Sequence, residues 1–458
     1  MLKICKILPL FWLISCTLGP EYQAQDFFGT SEPQNTITIS RQWYKVFADE
    51  KLNSLIEEAL RRSPDVKIAI SRLQQARYLL EIKKVDYFPK VDGAAAYNYA
   101  FAPEYGETGS SGSYFKLGLD AVWELDIWGK GRRQTQRYAA LYQASINNLE
   151  NTSLTLAAEV ANNYVLLRTT QEQLRIAEEN LKTEREILQA VQKKYQNGMS
   201  DETALQQAEF ALQTTQSTIP VLQYRKSAYE NAILLLCGRI PDDKNDLENI
   251  KGGLDVRNFR IDYLKLKQTP LNVIRNRPDV KAAEQQLIAK NAAIGEAIAA
   301  MFPSVGLSAL LGRQAHTVKS LDNSRQASYG YAADITTPLW HWGEMLKQVK
   351  LSRAEKEEYF YLYQNSVLTA ANELQNSLNA LEQEIKRREL LQKAALSMEK
   401  ILKSQRLKYD EGLIEFSDLL YSEQNLLKSR DDLAQSFGAV CQNLIGFYKS
   451  AGGGMGNP

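Results

Sequence analysis

Histidine occurs only twice in the 458 residues, at 316 and 341, and cysteine only four times, at 5, 16, 237 and 441. None of them stands at metal-ligand spacing, so the sequence offers no ligand set for a metal. Cys237 and Cys441 lie in apolar, helix-like surroundings and read as two buried thiols. Nucleophile elbows, phosphate loops and zinc-hydrolase motifs are missing as well. Gly452, Gly453, Gly454 and Gly456 follow a helical pattern, not a strand, and so make no phosphate loop. No catalytic residue, cofactor or metal is expected, which disfavours an enzyme. Charge of one sign is also lacking: Lys plus Arg is 55 against 54 for Asp plus Glu. Without a basic footprint, nucleic acid is not expected as a partner. Hydrophobic residues are 44% of the chain and mean hydropathy is −0.37, low for a compact globule and better suited to long solvated helices.

What the chain does have is itself twice. Pro64-Asp65-Val66-Lys67 recurs at 278–281, and the offset of 214 residues then holds for Phe88-Pro89 with Phe302-Pro303 and Trp128-Gly129 with Trp342-Gly343. It continues through Lys194-Tyr195 with Lys408-Tyr409, Gly198 with Gly412, and Glu209 with Glu423. Such self-similarity implies one architecture built from two halves. The expected division is a leader at 1–15, an N-terminal segment at 16–48, a first repeat at 49–238, a linker at 239–269, a second repeat at 270–450 and a flexible tail at 451–458.

The leader carries Lys3 and Lys6 ahead of an apolar run from Ile7 to Ile14, a secretory layout too short to span a bilayer. Leu13-Ile14-Ser15-Cys16 resembles a bacterial lipobox, which makes Cys16 the expected lipidation site. Thr17 stands where an aspartate often signals inner-membrane retention, so the outer membrane is the expected destination.

Between Gly131 and Asn197 there is neither proline nor glycine, while Val160, Leu167, Leu174, Leu181, Leu188 and Tyr195 recur every seventh residue. That is a coiled-coil seam on a helix about 100 Å long. Leu205, Leu212, Ile219 and Ile233 continue the interval on the return, as do Leu374, Leu381, Ala395, Leu402 and Tyr409, then Leu419, Leu426, Leu433, Val440 and Phe447, in the second half. One narrow apolar line with polar flanks suits a hollow wall of helices better than a solid bundle. The hairpins are expected to turn at Gly198 and Gly412, with Asp201 and Ser417 as helix caps and a kink at Pro220.

Each half also holds two alternating runs. Phe115, Leu117, Leu119, Ala121, Trp123 and Leu125 interleave with Lys116, Gly118, Asp120, Val122, Glu124 and Asp126; the counterpart runs from Tyr329 to Leu339 and includes Asp334. Val91–Phe101 and Val305–His316 precede them, joined by polar connectors at about 103–113 and 317–327. Strands near ten residues, with aromatic clusters toward both ends, fit a membrane barrel. Tyr114, Phe115, Tyr329 and Tyr331 would mark one girdle, and Trp123, Trp128, Trp340 and Trp342 the other. Lys116, Asp120, Glu124 and Asp334 would face the lumen. Four strands cannot close by themselves in lipid. Oligomerisation is therefore required, with two chains supplying eight strands or three supplying twelve.

The lipobox, the following Leu18-Gly19-Pro20-Glu21-Tyr22, both Pro-Asp-Val segments, both Phe-Pro and Trp-Gly pairs and both Tyr-x-x-Gly tips together resemble the TolC-like outer-membrane efflux channels. Within these the likeness is to the lipoprotein branch that serves resistance-nodulation-division pumps. The resemblance implies an α+β membrane protein working as a homotrimer: a twelve-stranded β-barrel in outer-membrane lipid, four strands per chain, continued by a periplasmic α-barrel of coiled-coil helices. It implies a passive exit duct whose partners are a periplasmic adaptor and an inner-membrane efflux transporter. It places Asp418, Tyr409 and Tyr421 at the gate, with Ala204, Ile414 and Tyr421 itself, which stands where the family has a second acidic ring residue, departing from the family pattern. It places Gly198, Asp201, Gly412 and Glu415 at tips that meet the adaptor. The alternative is a lipid-anchored periplasmic coiled-coil scaffold without a pore, which accounts for the heptads and Cys16 but not for two alternating aromatic hairpins.

Overall fold

The computed structural model describes residues 17–24, 41–102, 110–241, 266–267, 269, 271–322 and 327–453. The leader, Cys16, most of the expected linker and the end of the tail lie outside these. The chain divides into two compact units, each drawing on both halves of the duplication. The first comprises residues 1–25, 71–146 and 282–364, the second 26–70, 147–281 and 365–458.

A four-stranded antiparallel sheet dominates the first unit: β1 (Lys90–Ala102), β2 (Ser110–Leu125), β3 (Ser304–Ala315) and β4 (Ala327–Thr336), in the order β1-β2-β3-β4. The central β2–β3 pairing joins the two repeats. Tyr97 lies opposite Phe115, Phe115 opposite Ala315, and Ala309 opposite Tyr331. Residues opposite one another share a face, so odd-numbered residues of all four strands face one side and even-numbered residues the other. An even repeat offset makes this parity possible.

The sheet and its connections depart from the expected runs in four places. β4 ends at Thr336, because Pro338 has no amide to donate to a ladder, and Leu339 falls outside it. β2 begins at Ser110, earlier than expected, and the second connector contains a 3-10 turn at Val318–Asp322. Asp126, grouped above with the polar residues of β2, instead serves the helix that follows. Its carboxylate accepts from Gly131 N (2.9 Å) and Arg132 N (3.0 Å) at the start of α3.

The described residues also include 3-10 turns at Trp43–Phe47 and Leu271–Asn276 and the α-helices α1 (Glu50–Arg62), α2 (Pro64–Val85), α3 (Lys130–Gln196), α4 (Glu202–Leu236), α5 (Pro278–Ala299), α6 (Trp342–Asp410) and α7 (Phe416–Ser450). With 67 and 69 residues, α3 and α6 reflect the absence of helix breakers. Pro220 lies inside α4, which runs on through it. In the second unit the heptad positions form the seams: Val160, Leu167, Leu374, Leu381 and Val440 have no exposed surface. Trp43 stacks on Tyr448 at 5.6 Å and adds an aromatic contact.

Candidate functional site

Two surfaces carry the functional reading, one in each unit. On the sheet, the odd face presents Val91, Tyr97, Tyr99, Leu117, Leu119, Leu311, Tyr329, Tyr331 and Ile335, all exposed; Tyr329 and Tyr331 are 82% and 89% accessible. A contiguous apolar face of this kind is an interaction surface by default. The even face carries Lys90, Asp92, Asn98, Lys116, Asp120, Glu124, Gln314 and Asp334, mostly among glycine, serine and alanine, with Tyr114, Val122 and Leu310 as its larger members; Tyr114, expected in one girdle with Phe115, therefore lies on the face opposite to Phe115. Lys116, Asp120, Glu124 and Asp334 thus lie together on this face, and Lys116 approaches Asp120 at 3.7 Å.

Among the described strand side chains, Arg313 is the only charged one on the odd face. It sits at the connector end and donates to the carbonyls of Leu321 and Asp322, both at 3.0 Å. At the opposite end, Trp123 Nε1 donates to Tyr87 O (2.9 Å) and Trp128 Nε1 to Pro303 O (2.7 Å), while Trp340 is fully exposed. The outward edges of β1 and β4 carry no partner strand in this sheet.

The second surface is formed by the hairpin tips. Gly198 and Gly412 have φ of +71° and +72°. Gly198 N donates to Tyr195 O and Met199 N to Lys194 O; Gly412 N donates to Tyr409 O and Leu413 N to Lys408 O. Both ends are therefore Schellman motifs, and only glycine takes that central conformation without strain. Asp201 caps α4 through Ala204 N (2.8 Å). Ser417 does not cap α7: the cap position is Glu415, whose side chain makes no capping bond, and Ser417 lies inside the first turn.

Asp201, Ala204, Tyr409, Gly412, Ile414 and Glu415 line one depression of about 400 Å³ with Lys194 and Phe416. The two tips are brought together there. Tyr409 lies under the Lys194 ammonium at 4.2 Å and packs on Phe416 at 5.9 Å. Asp418 is exposed in the first turn of α7, where a helix dipole favours an anion, and Tyr421 is exposed one turn further on. Neither lines the depression.

Farther along the hairpins is a buried polar cluster that the sequence did not reveal. Glu184 on α3 accepts through Oε1 from Thr215 Oγ1 (3.0 Å) and Asn180 Nδ2 (2.9 Å), while its Oε2 is buried without a hydrogen-bond partner. Burial pushes its carboxyl up to about 7, and nearby Glu423 adds to the rise. Glu423 on α7 is likewise raised by burial, and Arg406 at 2.8 Å opposes the rise. Apart from its place in a polar-flanked helix, nothing local marks Glu184. Burial similarly pushes Cys237 to about 11 and Cys441 to about 12, leaving two unreactive thiols.

Among the described residues, no helix is long and apolar enough to cross a membrane. An exposed apolar sheet face with unpaired edges, in a chain whose helices are narrow-seamed hairpins, is compatible with a membrane-embedded sheet completed by further strands. Comparison with known proteins agrees: residues 55–239 and 270–453 match the outer membrane efflux protein family, and the chain belongs to that family. It is 27% identical over 476 residues to the solvent efflux pump outer membrane protein SrpC of Pseudomonas putida, covering 98% of both chains. It is 26% identical over 475 residues to the cation efflux system protein CusC of Escherichia coli, covering 98% and 99%. Similar identity, 26% over 467 residues with 99% of each chain covered, relates it to the probable outer membrane lipoprotein SilC of Salmonella typhimurium. Among solved structures, the outer-membrane channel OprN superposes with a TM-score of 0.85 at 28% identity, covering 96% of this chain and 100% of that one. The CmeC outer membrane channel of Campylobacter jejuni superposes at 0.87 with 25% identity and 96% coverage of both. The scaffold alternative finds no support in these relatives.

Proposed function

We propose that this chain is the outer-membrane exit duct of a tripartite efflux pump, conducting substrates passively from a periplasmic adaptor and an inner-membrane transporter to the outside. The parity of the sheet carries the reading: an apolar odd face suits lipid, a small and charged even face suits a water-filled lumen, and two unpaired edges call for further copies. The likeness to the TolC-like channels supports a homotrimer as the working unit, in which three copies give twelve strands and six helix hairpins. Cys16 is the lipid attachment site, in keeping with the likeness to SilC, a probable outer membrane lipoprotein. Transport requires no bond-making on this chain, so it is not an enzyme.

The tips around Gly198, Asp201, Gly412 and Glu415 receive the adaptor. Asp418 and Tyr421, exposed just beyond them, belong to the gate with Tyr409; three Asp418 carboxylates in a ring favour cations. SrpC and CusC are named for solvents and cations respectively, so cargo choice rests with the pump and not with the duct. Planar-bilayer recording of the purified chain tests the reading. A cation-preferring conductance, with the preference lost in Asp418→Ala, is expected. A bilayer that stays silent overturns the duct, whereas unchanged preference in Asp418→Ala removes only the gate assignment.

A further inference from the structure

The segment just after Cys16 is seated in a slot built for it. Leu18 N donates to Trp128 O (3.3 Å). The Arg133 guanidinium, 5% exposed, forks onto the carbonyls of Leu18 (Nε, 2.8 Å) and Gly19 (Nη2, 3.0 Å). Asn291, 2% exposed, donates to Pro20 O at 3.0 Å, and Tyr22 OH donates to Glu284 Oε1 at 3.1 Å. The fit leaves no room for a side chain at two crossing points. A Cβ on Gly19, whose φ is +95°, would lie 2.4 Å from Gly295 Cα. One on Gly295 would lie 2.6 Å from Arg133 Nε and 2.8 Å from Leu18 O.

The duplication supplies an internal control. At the offset of 214, Gly295 corresponds to Glu81, Asn291 to Arg77, Arg133 to Lys347 and Glu284 to Ile70. Arg77 and Glu81 pair with each other on the exposed face of α2 at 2.9 Å. Among the described residues, the corresponding position on α2 holds no strap, and it keeps none of the slot residues. The slot thus distinguishes one half of the duplication from the other.

We propose that residues 17–22 are a docking strap that fixes the acylated N-terminus at the foot of the strands, so that the lipid anchor sets the depth of the sheet in the membrane instead of acting as a loose tether. The inference rests on lipidation at Cys16. Adjacent Cα atoms lie about 3.8 Å apart across a trans peptide, so an acylated residue one position before Thr17 stays within two peptide units of the held Leu18. The backbone of Thr17 lies close to Gly129, where an added Cβ would come within 2.9 Å of Thr17 Cα. The strap thus reaches the Trp128-Gly129 turn, where β2 gives way to α3. Arg133 is the positioning residue, because its planar fork engages two successive carbonyls and a lysine ammonium does not reproduce that geometry.

Three readouts on the full-length chain test this: palmitate labelling, hydrogen exchange of residues 17–24 measured by mass spectrometry, and recovery of heat-modifiable oligomer from the outer membrane. Arg133→Lys and Gly295→Ala disturb the slot by different routes, and Arg137→Lys on the neighbouring turn is the control. Both slot variants should keep the label, exchange residues 17–24 at least about tenfold faster than the parent and yield oligomer reduced several-fold. The control should match the parent. A labelled parent whose slot variants leave exchange or oligomer yield unchanged overturns the strap alone. An unlabelled parent overturns the Cys16 assignment and the strap with it.

Discussion

Tyr164 donates a 2.6 Å hydrogen bond to Asp49 Oδ2 in the interior of the helical unit, and both side chains are buried. The other carboxylate oxygen of Asp49 accepts from Lys51 N (2.9 Å) and Leu52 N (3.1 Å), capping α1. One carboxylate therefore ties the start of α1 to the middle of α3. Tyr164→Phe removes one charge-assisted bond and keeps the cap, and should cost about 1.5–3 kcal/mol. Asp49→Ala removes both and should cost more, by roughly another 1 kcal/mol for the lost cap. Thermal unfolding of the two variants measures the difference; equal losses would mean that the cap contributes nothing.

Glu184 makes stability depend on pH in the direction opposite to that of a paired carboxylate. Its folded pKa is raised to about 7, so between its ordinary value and about 7 the folded chain binds more protons than the unfolded one. Stability is then highest below the unfolded pKa and falls as pH rises toward 7, staying lower above it. Thr215, Asn180, Glu423 and the Arg406 paired with Glu423 are the groups around it. Glu184→Gln keeps a carbonyl for Thr215 and Asn180 but cannot ionise. Its melting temperature should exceed the parent's at pH 8 and approach it at pH 5. Parallel pH profiles for the two proteins would show that Glu184 stays ionised throughout.

The hairpin turns allow a cleaner test of backbone conformation. A Cβ at Gly198 or Gly412 would meet nothing within 4 Å, so alanine there introduces no clash and only the positive φ is penalised. Gly198→Ala and Gly412→Ala should each destabilise by about 1–2 kcal/mol. Calorimetric unfolding of the two variants should give similar shifts, because the two Schellman ends are alike. A much larger loss at one tip would indicate a contact made only in the assembly.

Ala332 and Ala333 are chain neighbours on opposite faces of β4, paired with Ser308 and Leu307 respectively. Lysine at 333 places a charge on the apolar face and should cost about 2–4 kcal/mol if it lies at the membrane midplane. Lysine at 332 joins Asp334 on the polar face and should be tolerated. Yields of heat-modifiable oligomer in isolated outer membranes compare them. Equal yields would remove the assignment of lipid to the odd face.

The extent of what could be read in the sequence follows the range of each interaction. The seams at Val160 and Leu374, the caps at Gly198, Asp201 and Gly412, and the alternation in β2 are encoded within a few residues, and each was legible. The Ser417 cap was misplaced because serine and glutamate two residues apart both suit a helix start, and the backbone chose Glu415. Asp126 looked like a strand residue by parity alone, yet it accepts from the first amides of α3.

By itself the sequence determined the duplication, the helix seams and the two-faced strands, because period and offset are properties of the order of residues. Only the tertiary structure decided that β2 pairs with β3 across the repeats, that Arg133 grips the carbonyls of Leu18 and Gly19, and that Glu184 is buried with one oxygen unpartnered. These join residues from distant parts of the chain. Their free energy comes from desolvation and hydrogen-bond geometry, which the local pattern of apolar and polar residues does not record.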